Sequence, residues 1–189
     1  MKKILITLLV AIAAWTGATA ADNIDKEIVL GMNVASYNGP SFSSRIGFHA
    51  GVRFTLGLPR VTQGLYVNAA AMLSLRGGSA DSATFNPFYL DIPVHLGYRY
   101  AINNGVAIFG EAGPYVGVGL FGTTYGKSVF SDEVGLRRFD MGLGLRAGVE
   151  FRRKLVTSMG YDFGLTNVAS EEGIKLKNHN YYISLGYKF

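Results

Sequence analysis

The sequence alternates. In one segment after another every second residue is large and apolar, and the residues between are small, polar or charged. A period of two marks a β-strand whose two faces meet different media. The last nine residues show it well. Tyr181, Ile183, Leu185, Tyr187 and Phe189 share one face; Tyr182, Ser184, Gly186 and Lys188 share the other. On a free sheet edge in water such a strand is an aggregation hazard. It is stable where the medium is lipid and the edge is closed into a barrel.

Seven further segments carry the same period. The faintest is Ile28, Leu30, Met32 and Val34. The others start at Ile46, Leu65, Leu90, Val106, Phe139 and Leu155. Most run about 8 to 15 residues, longer than a typical soluble strand and enough to cross a bilayer at a tilt. The apolar face is nearly free of charge in all eight. The opposite face holds Arg45, His49, Arg53, Arg76, Asp91, His95, Arg99, Glu111, Asp140, Arg146, Glu150, Arg152, Asp162 and Lys188. Eight strands enclose room for side chains or one small ligand. The bulky apolar set does not fit there, whereas the set rich in Gly, Ala and Ser does. A lipid-facing Arg or Lys would cost about 2–4 kcal/mol at mid-bilayer. The expected fold is therefore an all-β, eight-stranded, antiparallel, up-and-down transmembrane β-barrel. Tyr98, Tyr100, Tyr161, Tyr181 and Tyr187 fall near strand ends on the lipid face, as aromatic girdles do.

The connections support this. Pro59 to Gln63, Asn103-Asn104-Gly105 and Arg152-Arg153-Lys154 are short, and Asn-Gly is a tight hairpin signature. Tyr37 to Ser44, Gly77 to Phe88, Gly122 to Arg137 and Val168 to His179 are long and polar. Short turns at one end and long loops at the other characterise outer-membrane barrels. Both termini then lie in the periplasm and the long loops outside.

Composition bounds the remainder. The 189 residues are 49% apolar and 16% charged, with 25 glycines and no cysteine, so thiol chemistry and Cys-zinc sites are excluded. Residues 1–20 read as a secretory leader. Lys2 and Lys3 precede an apolar stretch from Ile4 to Trp15, and Ala18-Thr19-Ala20 is a cleavage signal before Ala21. The barrel domain is then 21–189. Losing Lys2 and Lys3 takes the formal charge from +5 to +3, too weak a bias for a nucleic-acid partner.

In a narrow lumen, charges must pair or be hydrogen-bonded. Arg45, His49, Arg53, Asp91, His95, Arg99, Glu111, Asp140, Arg146, Glu150 and Asp162 are expected to form a network that fills the barrel. The alternatives are a narrow pore or small-solute channel, a soluble periplasmic ligand-binding barrel, and an enzyme using His49 or His95 with Asp91, Glu111 and Ser74 as triad partners. The triad residues follow no known spacing, and the chain is read as non-enzymatic. The loop acids Asp81, Asp132, Glu133, Glu171 and Glu172 do not follow a calcium-loop pattern, and no cofactor is expected. Gly142-Leu143-Gly144 lies mid-strand with no helix behind it, so it is no dinucleotide fingerprint.

Four runs resemble a known family. Tyr89-Leu90-Asp91-Ile92-Pro93-Val94 is similar to the "YLEIP" strand start of the PorT-like small outer-membrane β-barrel proteins. Glu111 to Gly117 resembles their "EAGPYLG" strand. Phe139-Asp140-Met141-Gly142-Leu143, with Gly148-Val149-Glu150-Phe151, resembles "FDxGL…GVEF", and Tyr161 to Asn167 resembles "YxxGLTNI". The resemblance spans the mature chain and implies an eight-stranded outer-membrane barrel. It implies no reaction; one member type is linked to protein secretion, and a shared fold does not transfer that role. Tyr181, Ile183, Leu185, Tyr187 and Phe189 resemble the C-terminal signal read by the barrel-insertion machinery. Expected partners are thus outer-membrane lipid, that machinery, and a protein partner at the long loops. Tyr125, Phe130, Asp132, Glu133 and Arg137 mark the third long loop as the contact. The protein is read as a monomer. Pro93 and Pro114 lack an amide proton, so a bulge or kink is expected at each.

Overall fold

The computed structural model describes residues 24–38, 42–80, 83–124, 127–131, 136–169 and 176–189. The expected leader lies outside them. Eleven strands follow in chain order: β1 (Ile24–Tyr37), β2 (Phe42–Gly57), β3 (Leu65–Leu75), β4 (Gly78–Ala80), β5 (Ala83–Thr84), β6 (Asn86–Asn103), β7 (Val106–Thr124), β8 (Lys127–Ser128), β9 (Phe139–Phe151), β10 (Leu155–Gly164) and β11 (Asn178–Lys188). Eight of them, β1, β2, β3, β6, β7, β9, β10 and β11, form the wall, each antiparallel to its neighbours. β1 pairs with both β2 and β11, which closes the barrel and leaves the wall no free edge.

The expected seam between the closing strand and the faint first strand is present. It runs from Glu27↔Lys188 to Tyr37↔Asn178 and so exceeds the span from Ile28 to Ala35 that alternation revealed. The extension brings Glu27 into the wall, facing inward.

Alternation becomes burial as expected. Leu30, Leu145, Met159 and Ile183 are 60–66% exposed on the outside, while Val29, Asn33 and Asp140 are at most 1% exposed on the inside. The exposed apolar band encircles the barrel, a distribution suited to lipid and costly in water. No described helix is long and apolar enough to cross a membrane.

The connections are less regular than expected. The first supposed long loop shrinks to 38–41, because β1 and β2 pair as far as Ala35↔Arg45. Two other loops contain added sheet: β4 and β5 form a hairpin laid against β2, and β8 pairs with the end of β7. The wall strands thus continue past the apolar band into the loop end. At the other end Asn103 Oδ1 accepts the amides of Gly105 at 2.8 Å and Val106 at 2.9 Å, fixing the expected Asn-Gly hairpin. The β9–β10 turn is unusual. Lys154 N donates to Phe151 O at 3.0 Å around Arg152 (φ 48°) and Arg153 (φ 57°), the φ signature of a type I′ turn. Left-handed backbone costs roughly 1–2 kcal/mol at a residue bearing a Cβ.

Neither proline carries a bulge. The register shifts of the β6–β7 ladder lie at Phe88/Tyr89 and Ala101/Asn103 instead. Pairing lapses beside each proline but resumes in the same register: Ala69↔Val94 to Met72↔Asp91 across Pro93, and Pro93↔Tyr115 to Leu96↔Ala112 beside Pro114. β7 stays paired to β9 straight through Pro114↔Leu143. A proline lacks its bond toward one neighbour only, so the other neighbour keeps the register.

Candidate functional site: the lumen charge network

Small residues make room for large ones. A Cβ on Gly97 would collide with the Tyr66 ring, and one on Gly160 with the Tyr182 ring. The inward glycines let rings and long polar side chains cross the lumen, which accounts for their abundance on the inward face.

These side chains form three ionic layers. At the end bearing the termini, Lys188 Nζ donates to Glu150 Oε2 at 2.6 Å and Asp25 Oδ2 at 3.1 Å. Arg99 lies 3.2 Å from Glu150 and 3.5 Å from Asp25. In the middle layer Arg146 donates to Glu111 at 3.0 Å, Ser158 at 2.9 Å and Glu27 at 3.5 Å, and Arg53 donates to Glu27 at 3.4 Å. Glu111 also accepts Tyr66 Oη at 2.8 Å and Asn68 Nδ2 at 2.7 Å, and His95 Nδ1 is 3.3 Å away.

The third layer is built on Arg76. Its guanidinium lies 2.9 Å from Asp91, 3.3 Å from Asp162 and 3.4 Å from Asp140. It also sits over the Tyr115 ring at 5.2 Å. Asp140 gains further donors in Tyr115 at 3.1 Å, Thr166 at 2.9 Å and Asn178 at 3.2 Å, and Asp162 gains Asn180 at 3.1 Å. Arg76, Arg146, Glu27 and Asp140 are each at least 95% buried. Buried charges are tolerated only with this density of partners.

Above this layer Phe130 packs edge-on against Tyr89 at 5.9 Å, with Val129 wholly buried beside it. Arg138 lies over the Phe130 ring at 4.7 Å and donates to the carbonyls of Gly119 and Leu120. Phe130 thus packs over the lumen as part of its lid while remaining half-exposed. Arg137 is exposed, as a role in partner contact requires; Tyr125, Asp132 and Glu133 lie outside the described residues.

Little space remains between layers. A cavity of about 40 Å³ lies beside His49, Asp91, His95 and Asp162, and one of about 10 Å³ beside Glu27, Glu111, Arg146 and Glu150. Each holds a few waters at most. A wider vestibule of about 590 Å³ opens at the end bearing the termini.

Most residues assigned to the network from sequence meet in it. Arg45 does not. It is half-buried near the loop end and donates to the Phe85 carbonyl at 3.3 Å. Glu27 was missed, because its strand began later in the pattern. Arg76 and Lys188 were placed inward but not recognised as pairing centres. Of the supposed triad, His95 meets Glu111 at 3.3 Å, but its Nε2 has no serine partner, and His49 bonds Ser184 at 2.8 Å. His179, placed by the sequence at the end of the last long connection, is in β11 and bonds Tyr161 Oη through Nδ1 at 2.5 Å. Among the described residues no three His, Asp or Glu side chains are placed to hold a metal. The five C-terminal apolar residues all face outward, 51–69% exposed.

A closed eight-stranded barrel with an apolar exterior and an ion-paired interior defines the class: an integral β-barrel of the bacterial outer membrane. The chain belongs to the family of the outer membrane protein beta-barrel domain, whose model matches residues 17–170. Solved barrels share its fold. Neisserial surface protein A matches with a TM-score of 0.56 at 14% identity, covering 87% of this chain and 97% of that one. OprG from Pseudomonas aeruginosa matches with a TM-score of 0.52 at 14% identity, covering 88% and 96%. The outer-membrane enzyme PagL matches with a TM-score of 0.51 at 13% identity, covering 86% and 98%. No curated protein matches significantly.

Proposed function

We propose that the protein is a sealed, monomeric, non-enzymatic scaffold of the outer membrane that presents its long loops for surface contact. The carrying observation is the lumen: among the described residues, three ionic layers and the packing of Phe130 over them enclose cavities of about 40 and 10 Å³. In this reading the leader directs export and the C-terminal residues Tyr181 to Phe189 are read by the insertion machinery. The short turns face the periplasm. Within the family, the runs at Tyr89 to Val94 and Glu111 to Gly117 favour the PorT-like group. The enzyme reading loses support from its residues: His49 bonds Ser184 rather than a carboxylate, His95 meets Glu111 but no serine, and a substrate would have to enter past the lid.

Planar bilayers test the seal. Purified barrel should give no stepwise conductance, and reproducible channels would overturn that part. Photo-crosslinking from loop positions 125, 132 and 172 in intact cells tests the contact role. Specific protein adducts are expected, and their absence from every loop would overturn it.

A further inference from the structure

The β9–β10 turn presents Arg152, Arg153 and Lys154 side by side, all exposed and, among the described residues, without an ion pair. Lys26 and Arg60 add exposed cations at the same end. The one exposed acid described there, Asp25, is already held by Lys188 and Arg99.

The turn backbone adds an independent observation. Arg152 and Arg153 both adopt left-handed φ values, 48° and 57°, where Asn-Gly would be unstrained. The neighbouring β6–β7 turn at Asn104-Gly105 has no left-handed residue, and the two turns touch: Arg152 N donates to Gly105 O at 2.6 Å. Two charged, Cβ-bearing residues thus hold left-handed positions, and such strain tends to mark functional positions. Beside the turn runs a groove of about 360 Å³ lined by Gly105, Val106, Phe151, Arg152, Lys154 and Leu155. Phe151 and Leu155, 39% and 46% exposed, belong to the lipid-facing band. The cations therefore sit at the rim of an apolar wall, at the level where a phospholipid places its phosphate above its acyl chains. Guanidinium groups match phosphate oxygens in bidentate geometry, and lysine adds a point charge.

We propose that this turn binds the phosphate of an anionic phospholipid, with an acyl chain lying along Phe151 and Leu155. The inference rests on the membrane-spanning reading and is independent of whether the lumen is sealed.

The test uses the refolded barrel in phosphatidylcholine nanodiscs containing a minor fraction of phosphatidylglycerol. Lipid retained after detergent release is counted by native mass spectrometry. Wild type should retain phosphatidylglycerol several-fold above its share. Arg152→Asn with Arg153→Gly removes the charge while supplying the residues the turn prefers, so its fold is not at risk. It should lose the enrichment and melt no lower than wild type. Lys154→Gln should weaken the enrichment in part. Equal retention of both lipids by wild type, or unchanged enrichment in the Arg152/Arg153 variant, would overturn the proposal. So would full displacement of the lipid by soluble glycerophosphate, which would point to a free phosphate ester.

Discussion

Arg76 shows what one residue can hold together. Its guanidinium is shared among Asp91, Asp140 and Asp162, which arrive on β6, β9 and β10. Arg76→Met keeps length but leaves three buried carboxylates without their cation. Breaking a buried pair from one side costs about 3–5 kcal/mol. Urea unfolding of the barrel in lipid vesicles should show a loss of that order. Gly186 offers a steric counterpart. A Cβ there would strike the Glu27 carboxylate, which serves both Arg53 and Arg146. Gly186→Ala should cost about 1–3 kcal/mol in the same assay, as overpacking does. That Arg76 points inward was legible from parity alone. That it centres a layer was not, because its partners lie up to 86 positions away along the chain. Arg45 has the same parity, yet its height near the loop end removes it from the network.

β11 is the element most completely written in the sequence. Its alternation, its inward Ser184 and Lys188 and its pairing with β1 all emerge as read. Ile183 stands opposite Met32 on one side and Met159 on the other, all three exposed to lipid. Ile183→Arg should lower stability by about 2–4 kcal/mol, the mid-bilayer cost of arginine, and reduce the heat-shifted band after refolding. The same substitution at Ile102, beside the β6–β7 turn, should cost about 0–1 kcal/mol, since the penalty fades near the interface. The prolines of β6 and β7 teach the opposite lesson. Local propensity called for bulges, but two neighbouring ladders held each strand in register and absorbed the missing bonds.

For the whole molecule, membrane integration and closure are the testable properties. The protein should partition with outer-membrane fragments and need detergent for release; recovery in a detergent-free periplasmic extract would contradict the membrane assignment. Unheated samples should migrate differently from boiled ones on gels, because a closed barrel resists unfolding by detergent. Fold class, strand number and the lipid-facing side were determined by the sequence itself, since period-two alternation with one uncharged face permits no other low-energy closure in a bilayer. Which charges meet was decided only by the tertiary structure. Strand parity sends a side chain inward, but barrel register sets its height, and height chooses its partner. Lys188 reaches Asp25 because β11 and β1 close the seam side by side. Arg76 reaches Asp162 because the barrel's circumference brings their strands face to face across a lumen that little beyond side chains can fill.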